Sequence, residues 1–308
     1  MSPISADTSV LVVGLDPAGA ECLSRLVEAG VKRFTILSDK RLDETEVAGN
    51  EWLSASIGEP VAEAIAGWLS TRSQELTVTT RTEDLSAFVE GSADEIRQFS
   101  LVITLCVPRE IELALGKILF EASRPLIITR SNEFHGKMRS QFRVHKDTSG
   151  PETVVLEGVE LENRPEPPTM EKCERVRKAF AAAVDLSSPE MISFLLVVYA
   201  SGSVFQTVQG YPAAHRPAAV SLAGHEAKVE AMIRKLIEEK GLTHAVVDQE
   251  AIKTCCAHGW GALPLAGTVL GAFTATEAII LLTSSGRPLN TVPLNLAAGS
   301  ALHIPALL

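Results

Sequence analysis

The most constraining feature of this 308-residue sequence is a strand–turn–helix–strand pattern within its first forty residues. The apolar run VLVVG at 10–14 predicts a buried strand that ends at a glycine turn. Residues 21–27 have helical spacing and are closed by Gly30, and the run FTIL at 34–37 predicts a second strand. A strand, a crossover helix and a parallel strand form the first unit of a Rossmann-like, doubly wound α/β sheet.

The turn between the first strand and the helix departs from the pattern that binds nucleotides. Such a turn normally receives a phosphate at the helix N-terminus, where unpaired N–H groups converge. Here Gly14 and Gly19 are present, but Asp16 replaces the middle glycine of a G-x-G-x-x-G pattern, and Pro17 has no N–H to donate. A carboxylate then points to where a polyphosphate would lie. We therefore expect the fold to be kept and the nucleotide-binding turn to be degenerate.

Strands and helices continue to alternate up to residue 130, which is typical of a doubly wound α/β sheet. Strands are predicted at 75–80, 99–104 and 125–129, and helices at 61–69, 83–97 and 111–122. A proline-rich, acidic connection follows, with one short β-like piece. Beyond it the patterns predict helices at 171–184, 191–200, 225–240 and 268–283, and a strand at 291–296.

This order of strand, helix and proline-rich patterns predicts three segments along the chain. Residues 1–146 form the first half of the α/β fold, and 147–187 form a short insertion or linker. Residues 188–308 return to the same sheet.

The charge distribution bears on possible partners. The net charge is −10 and no long basic stripe occurs, so nucleic-acid binding is disfavoured. One local basic cluster stands out, which we expect to be a solvated face, with an acidic protein partner as the alternative. Its members are Arg124, Arg130, Lys137, Arg139, Arg143 and Lys146.

Residues 263–282 have about the length of a membrane span and carry a single charge, Glu277. Pro264, several threonines and the lack of basic flanking residues argue against a span. The segment is therefore predicted to be a buried core helix, and no membrane association is expected.

The cysteines and histidines give no catalytic or metal-binding pattern. The five cysteines are odd in number and form no C-x-x-C pair, which favours a reducing compartment, and no signal peptide is evident. We expect the cytoplasm, with the nucleus as a second location. Cys106 and Cys173 are candidate nucleophiles, but buried structural thiols are the preferred interpretation.

The remaining candidate residues are also interpreted as structural. Cys255 and Cys256 with His258 favour core packing over a metal site, because adjacent cysteines do not readily chelate one tetrahedral ion. His135 and His145 are expected at the surface.

Several motifs, taken in order, resemble the adenylation fold of the ThiF/MoeB and ubiquitin-activating enzyme superfamily. Within it, the sequence is most similar to the regulatory subunit of the heterodimeric enzymes that activate Rub/NEDD-type modifiers. The similar stretches are FTIL with AGN at 48–50, SIG at 56–58 with AEA at 62–64, residues 99–108, RPLIITR with GKMR at 124–130 and 136–139, and LGA with TEAI at 270–279. The likeness covers 10–145 well and about 188–300 more weakly.

The departures from active members fall where nucleotide and metal are bound. Of the glycine-rich loop that holds ATP, only Gly14 and Gly19 remain. The phosphate-reaching N-x-x-R-Q group is replaced around Asn50. The ribose-binding aspartate is replaced by Ser38, and a second aspartate two residues later by Lys40. The magnesium-placing aspartate and the asparagine after it are replaced by Val107 and Pro108. We also expect the N-terminal arm of that subunit to be absent and its long helical insertion to be shortened.

The resemblance therefore implies a non-catalytic, pseudo-adenylation subunit without cofactors of its own and with no expected activity alone. A catalytic partner would supply ATP, magnesium and the thioester cysteine, and the heterodimer would activate a ubiquitin-like modifier. Two alternatives stay open. One is an active homodimeric ThiF/MoeB-like adenylating enzyme. The other is an NAD(P)-dependent oxidoreductase with Asp39 as its ribose-binding acid.

Overall fold

The computed structural model describes residues 3–43, 57–132, 135–158, 222–258 and 265–295, together with residues 47, 160 and 161 and single positions between 189 and 204. Its strands are β1 (Ser9–Gly14), β2 (Arg33–Leu37), β3 (Thr77–Arg81), β4 (Leu101–Leu105), β5 (Leu126–Asn132), β6 (His135–Gln141), β7 (Val144–Asp147), β8 (Val154–Glu157) and β9 (Thr291–Asn295). Its helices are α1 (Gly19–Glu28), α2 (Val61–Arg72), α3 (Leu85–Gly91), α4 (Ala93–Ile96), α5 (Arg109–Glu121), α6 (Glu226–Lys240), α7 (Gln249–His258) and α8 (Leu265–Thr283).

Seven strands form the main sheet, in the order β3-β2-β1-β4-β5-β6-β9. The first five of these are parallel: β1 pairs with β2 and with β4, β2 with β3, and β4 with β5. The chain starts in the middle and winds outwards in both directions, so the topological switch point lies between β1 and β4. The predicted doubly wound α/β fold is confirmed.

The sheet forms because its central strands are apolar over their whole length. The four valine and leucine side chains of β1 that precede Gly14 are fully buried, as expected for a parallel strand covered on both faces. One core cluster joins β1, β4 and β5 to α3, α4 and α5, with Leu11, Val102, Leu126, Phe88 and Leu115 among its members.

The segment predicted as one helix at 83–97 is two helices that meet at Ser92. Asp84 caps α3 by accepting the Ala87 N–H at 2.9 Å. Ser92 has a non-helical backbone (φ −120°, ψ 26°), which ends the first helix. The single-helix prediction was therefore wrong at this point.

Helix α8 confirms the predicted buried core helix. Val269, Leu270 and Phe273 lie on it at 1% exposure or less, and the one charge of the segment, Glu277, is fully buried. The Glu277 carboxylate accepts hydrogen bonds from the Ser140 hydroxyl and from the Leu289 and Asn290 N–H groups. Within the described residues, no helix is long and apolar enough to cross a membrane.

Strands β7 and β8 pair antiparallel and form a separate two-stranded sheet. His145 on β7 is only 4% exposed, and its Nε2 lies 2.8 Å from the Gly286 oxygen. The prediction that His145 is a surface residue was wrong, because this hydrogen bond gives the imidazole a buried partner. The side chain of His135 lies outside the described residues.

Residues divide into two compact units. The first comprises 1–130, 137–168 and 270–292, and the second 131–136, 169–269 and 293–308. In the second unit, Val229 and Ile233 are the fully buried residues of α6, and Gly241 ends this helix in the left-handed conformation (φ 64°), as its sequence predicts.

The predicted division at residues 146 and 187 stays a prediction. Most of 162–221 lies outside the described residues, including the predicted helix 171–184 and Cys173.

Candidate functional site

The carboxyl end of β1 meets the end of β4 with almost no space between their backbones. Gly14 has φ +88°, and a Cβ atom on it would lie 2.3 Å from the Leu105 oxygen and 2.7 Å from Val107 Cγ1. Gly14 is opposite Leu105 in the parallel register. Only glycine fits this position, so the first glycine of the turn is retained for packing at the switch point.

Asp16 folds back onto its own turn. The residue is 1% exposed, and its Oδ1 accepts the Ala18 N–H at 2.9 Å, while its backbone oxygen accepts the Gly19 N–H at 2.8 Å. Pro17, between them, has no N–H. Two of the donors that a phosphate could use at the start of α1, the N–H groups of Ala18 and Gly19, are therefore bonded within the chain, and a carboxylate is buried beside them.

Helix α8 packs directly against the first turn of α1. A Cβ atom on Gly271 would lie 2.3 Å from the Ala18 oxygen and 3.1 Å from the Cys22 nitrogen, so the two backbones are in contact. Cys22 is buried here, and this burial, followed by the charge of Glu21, raises the pKa of its thiol. Cys22 is therefore a buried thiol within the contact between α8 and α1.

The end of β2 offers no acid in the position that binds ribose. Ser38 is 1% exposed, its N–H donates to the Arg81 oxygen at 3.1 Å, and its hydroxyl accepts the Lys40 N–H at 3.3 Å. Asp39 follows in the loop and is exposed. The loop at 48–50, which belongs to the predicted resemblance, lies outside the described residues.

The end of β4 carries the residue with the most unusual backbone near the switch point. Cys106 has φ +55°, and its N–H donates to the Thr129 oxygen at 3.0 Å. Its side chain is partly exposed, so the prediction of a buried thiol was wrong at this position: the left-handed backbone turns the chain at the strand end. Val107 is buried, and helix α5 starts after Pro108.

A buried carboxylate organises a group of cations next to this turn. Glu112 is 1% exposed; its Oε1 accepts from Arg130 Nε at 2.8 Å and its Oε2 from Arg109 Nη1 at 3.4 Å. Arg130 also donates to the Val107 oxygen at 2.8 Å, which ties the ends of β4 and β5 together. Burial lowers the pKa of Arg130, but its hydrogen bond with Glu112 and the charge of that carboxylate outweigh this effect and raise it.

Two cations from β6 complete this group. Arg139 is 8% exposed and donates to the Glu160 oxygen at 3.2 Å. Desolvation, followed by the charge of Arg109, lowers its pKa. Lys137 is exposed and makes no ion pair in the described part of the chain. Desolvation, then the charges of Arg139 and Arg109, lowers its pKa. We call Arg109, Arg130, Lys137 and Arg139 around Glu112 the basic cluster.

Four of the six basic residues predicted to form a solvated face are exposed, but the prediction was wrong for Arg139. Arg139 is buried, whereas Arg124 lies apart and donates to the Arg97 oxygen at 3.2 Å. Arg109 and Glu112 were not among the predicted site residues. A signal was available, since Glu112 directly follows Ile111 on the face of α5 that also buries Leu115.

The remaining candidates do not form a site among the described residues. Cys256 is buried, as predicted, while the side chains of Cys255 and His258 lie outside the described set. Across the described ranges, no three His, Cys, Asp or Glu side chains come together to hold a metal ion.

A doubly wound sheet whose first turn and strand ends meet at its carboxyl edge defines a Rossmann-like α/β protein. The sequence matches the ThiF family over residues 5–303, nearly the whole chain, and the chain belongs to that family.

Among characterised proteins, the chain is similar to NEDD8-activating enzyme E1 regulatory subunits. It is 27% identical to that of Danio rerio over 154 residues (50% of this chain and 29% of the relative). It is 26% identical to that of Caenorhabditis elegans over 139 residues (45% and 26%) and 23% identical to the subunit AXR1 of Arabidopsis thaliana over 185 residues (60% and 33%). The chain thus matches about a third or less of the length of these relatives. These low-identity matches establish a relationship between this chain and E1-type activating enzymes.

Proposed function

We propose that this chain is the non-catalytic subunit of a heterodimeric enzyme that activates a ubiquitin-like modifier of the NEDD8 class. The observation that carries the proposal is the turn after β1. There Asp16 occupies the Ala18 N–H and adds a buried negative charge to a position that a nucleotide-binding subunit keeps open for phosphate. ThiF family membership and the similarity to regulatory subunits supply the context.

The residues at the other nucleotide positions do not fit ATP with magnesium. The buried hydroxyl of Ser38 is a weaker partner for ribose than a carboxylate, and the Val107 side chain provides no oxygen ligand for a hard cation. In our proposal the partner subunit therefore supplies ATP, magnesium and the thioester cysteine. This chain completes the heterodimer in the cytoplasm or the nucleus.

The test combines partner capture with ATP–pyrophosphate exchange. The tagged chain is recovered from extract of its own cells, and exchange is measured for the chain alone, for its partner and for the pair. We expect a ThiF-family protein to be recovered and exchange to require that partner. Exchange by the purified chain alone would contradict the proposal and favour an active adenylating enzyme.

A variant separates the effect of Asp16 from the rest of the site. Asp16→Gly frees the Ala18 N–H and removes the buried charge, but it restores neither the ribose acid nor a magnesium ligand. We expect the variant alone to remain inactive in exchange. Its fold should lose about 1 kcal/mol, because a side-chain-to-backbone hydrogen bond just before α1 is removed. Activity gained by this single change would show that the other positions suffice for nucleotide.

A further inference from the structure

The basic cluster is far from electrically balanced, in a chain that is otherwise acidic. The protein has a net charge of −10, yet Arg109 and Arg130 both pair with one buried carboxylate, Glu112, and the charges of Lys137 and Arg139 act on the same group. Among the described residues, the other carboxylate whose charge acts on the cluster belongs to Glu110, which is exposed. Like charges held together in a partly desolvated place repel one another, so an anion brought among them is favoured.

The position of the cluster suits a ligand. Arg109 begins α5 directly after β4, and Arg130 lies near the end of β5, which is parallel to β4. The carboxyl ends of parallel strands are where doubly wound sheets bind their ligands. Lys137 and Arg139 come from β6, the next strand of the sheet. The cluster therefore collects cations from three successive elements at the edge that the fold reserves for ligands.

Hydrogen bonds within the chain hold some cations of the basic cluster in place, whereas others keep N–H groups that can donate to a ligand. Arg130 is held by Glu112 and the Val107 oxygen, and Arg139 by the Glu160 oxygen. Lys137 forms no ion pair among the described residues, and an ammonium offers three donors. Guanidinium groups held in this way match the oxygens of a phosphate in direction as well as charge.

We propose that the basic cluster binds a phosphate group, as a dianionic oxyanion contacted by Lys137 and by the guanidinium groups of Arg109 and Arg139. A dianion balances the excess charge better than a single carboxylate does. A compact group also fits four cations around one buried residue better than an extended acidic peptide, which Glu110 would repel. The site uses none of the N–H groups of the turn at Asp16, and the proposal does not depend on a partner subunit.

The test measures binding of inorganic phosphate to the full chain at low ionic strength by isothermal titration calorimetry. Methyl phosphate and acetate are the comparison ligands. Lys137→Gln and Arg109→Gln each remove one exposed charge from the cluster. Lys146→Gln is the matched control. Lys146 belongs to the same basic segment and is exposed on β7, and it is not among the charges that shift the pKa of Lys137.

We expect saturable phosphate binding that is weakened about tenfold or more in each cluster variant and unchanged in Lys146→Gln, which is the fold-change that a lost charge-assisted hydrogen bond produces. Methyl phosphate binding as well would assign the site to a phosphomonoester, and phosphate binding alone would assign it to the free anion. The proposal is overturned if phosphate does not bind, if acetate binds equally well, or if all three variants lose affinity alike. Binding of an acidic peptide without phosphate would also overturn it.

Discussion

Replacing Gly271 by alanine tests the packing of α8 on α1. In a helix interior, glycine-to-alanine gains about 1 kcal/mol, because alanine loses less backbone entropy on folding. At Gly271 the new methyl carbon would lie 2.3 Å from the Ala18 oxygen and 2.9 Å from Glu21 Cβ. The Ala18 oxygen cannot easily yield, since it accepts the Cys22 N–H at 3.1 Å in the first turn of α1.

The two effects have opposite signs, and their sizes decide the outcome. Overpacking typically costs 1–3 kcal/mol, and contact with backbone places this site at the upper end, about 3 kcal/mol. Subtracting the gain of about 1 kcal/mol in helix propensity leaves a net loss of about 2 kcal/mol in the free energy of unfolding. The contact therefore reverses the usual direction of the substitution.

Gly67→Ala is the matched control. Gly67 also lies inside a helix, α2, but a Cβ atom there would meet nothing within 4 Å. We expect this variant to gain about 0.5–1 kcal/mol. Urea unfolding followed by circular dichroism measures both variants. If Gly271→Ala stabilises the protein, or if both variants shift it in the same direction, the described contact between α8 and α1 is incorrect.

Three further predictions concern buried charges. Glu277→Ala should lower the unfolding free energy by about 2–4 kcal/mol in urea, because two buried N–H groups and a hydroxyl lose their acceptor, whereas Glu277→Gln should cost less. Hydrogen bonds from the Ser149 hydroxyl and N–H, then from the Gly286 N–H, lower the pKa of Asp147 to about 2. Since an unfolded aspartate titrates near 3.9, the stability from Asp147 is present above about pH 4 and is lost as the pH falls towards 2; Asp147→Asn should flatten that part of a pH–stability profile. Glu112→Ala should destabilise the fold by about 1–3 kcal/mol, and added salt should reduce this loss, because it screens the half-exposed cations left without their carboxylate.

The parallel sheet was predictable because its signals are local. The apolar run of β1 and the glycine after it specify a buried strand and a turn without any distant partner, and the structure has them where the pattern predicts. The end of α6 at Gly241 is similar, since a left-handed helix end favours glycine for purely local reasons. These features survive in a sequence whose identity to its relatives is low.

Strand β6 and the basic cluster could not be predicted because their causes are not local. The sequence HGKMRSQ of β6 has only Met138 as a large apolar residue, so the period-two pattern is weak. Arg139 is buried because a carbonyl 21 residues later accepts its hydrogen bond. His145 is buried for the same kind of reason, with its partner 141 residues away. A pattern read along the chain favours exposure for each of these side chains.

The carboxylate of Asp16 acts as an intramolecular ligand for the turn after β1. A free anion competes for the Ala18 N–H at whatever concentration the cell provides, whereas Asp16 is attached two residues away and is never diluted. Short covalent links of this kind correspond to effective concentrations of about millimolar or higher. The acceptor for this N–H group is therefore supplied by the amino-acid sequence itself, at a distance fixed by the chain.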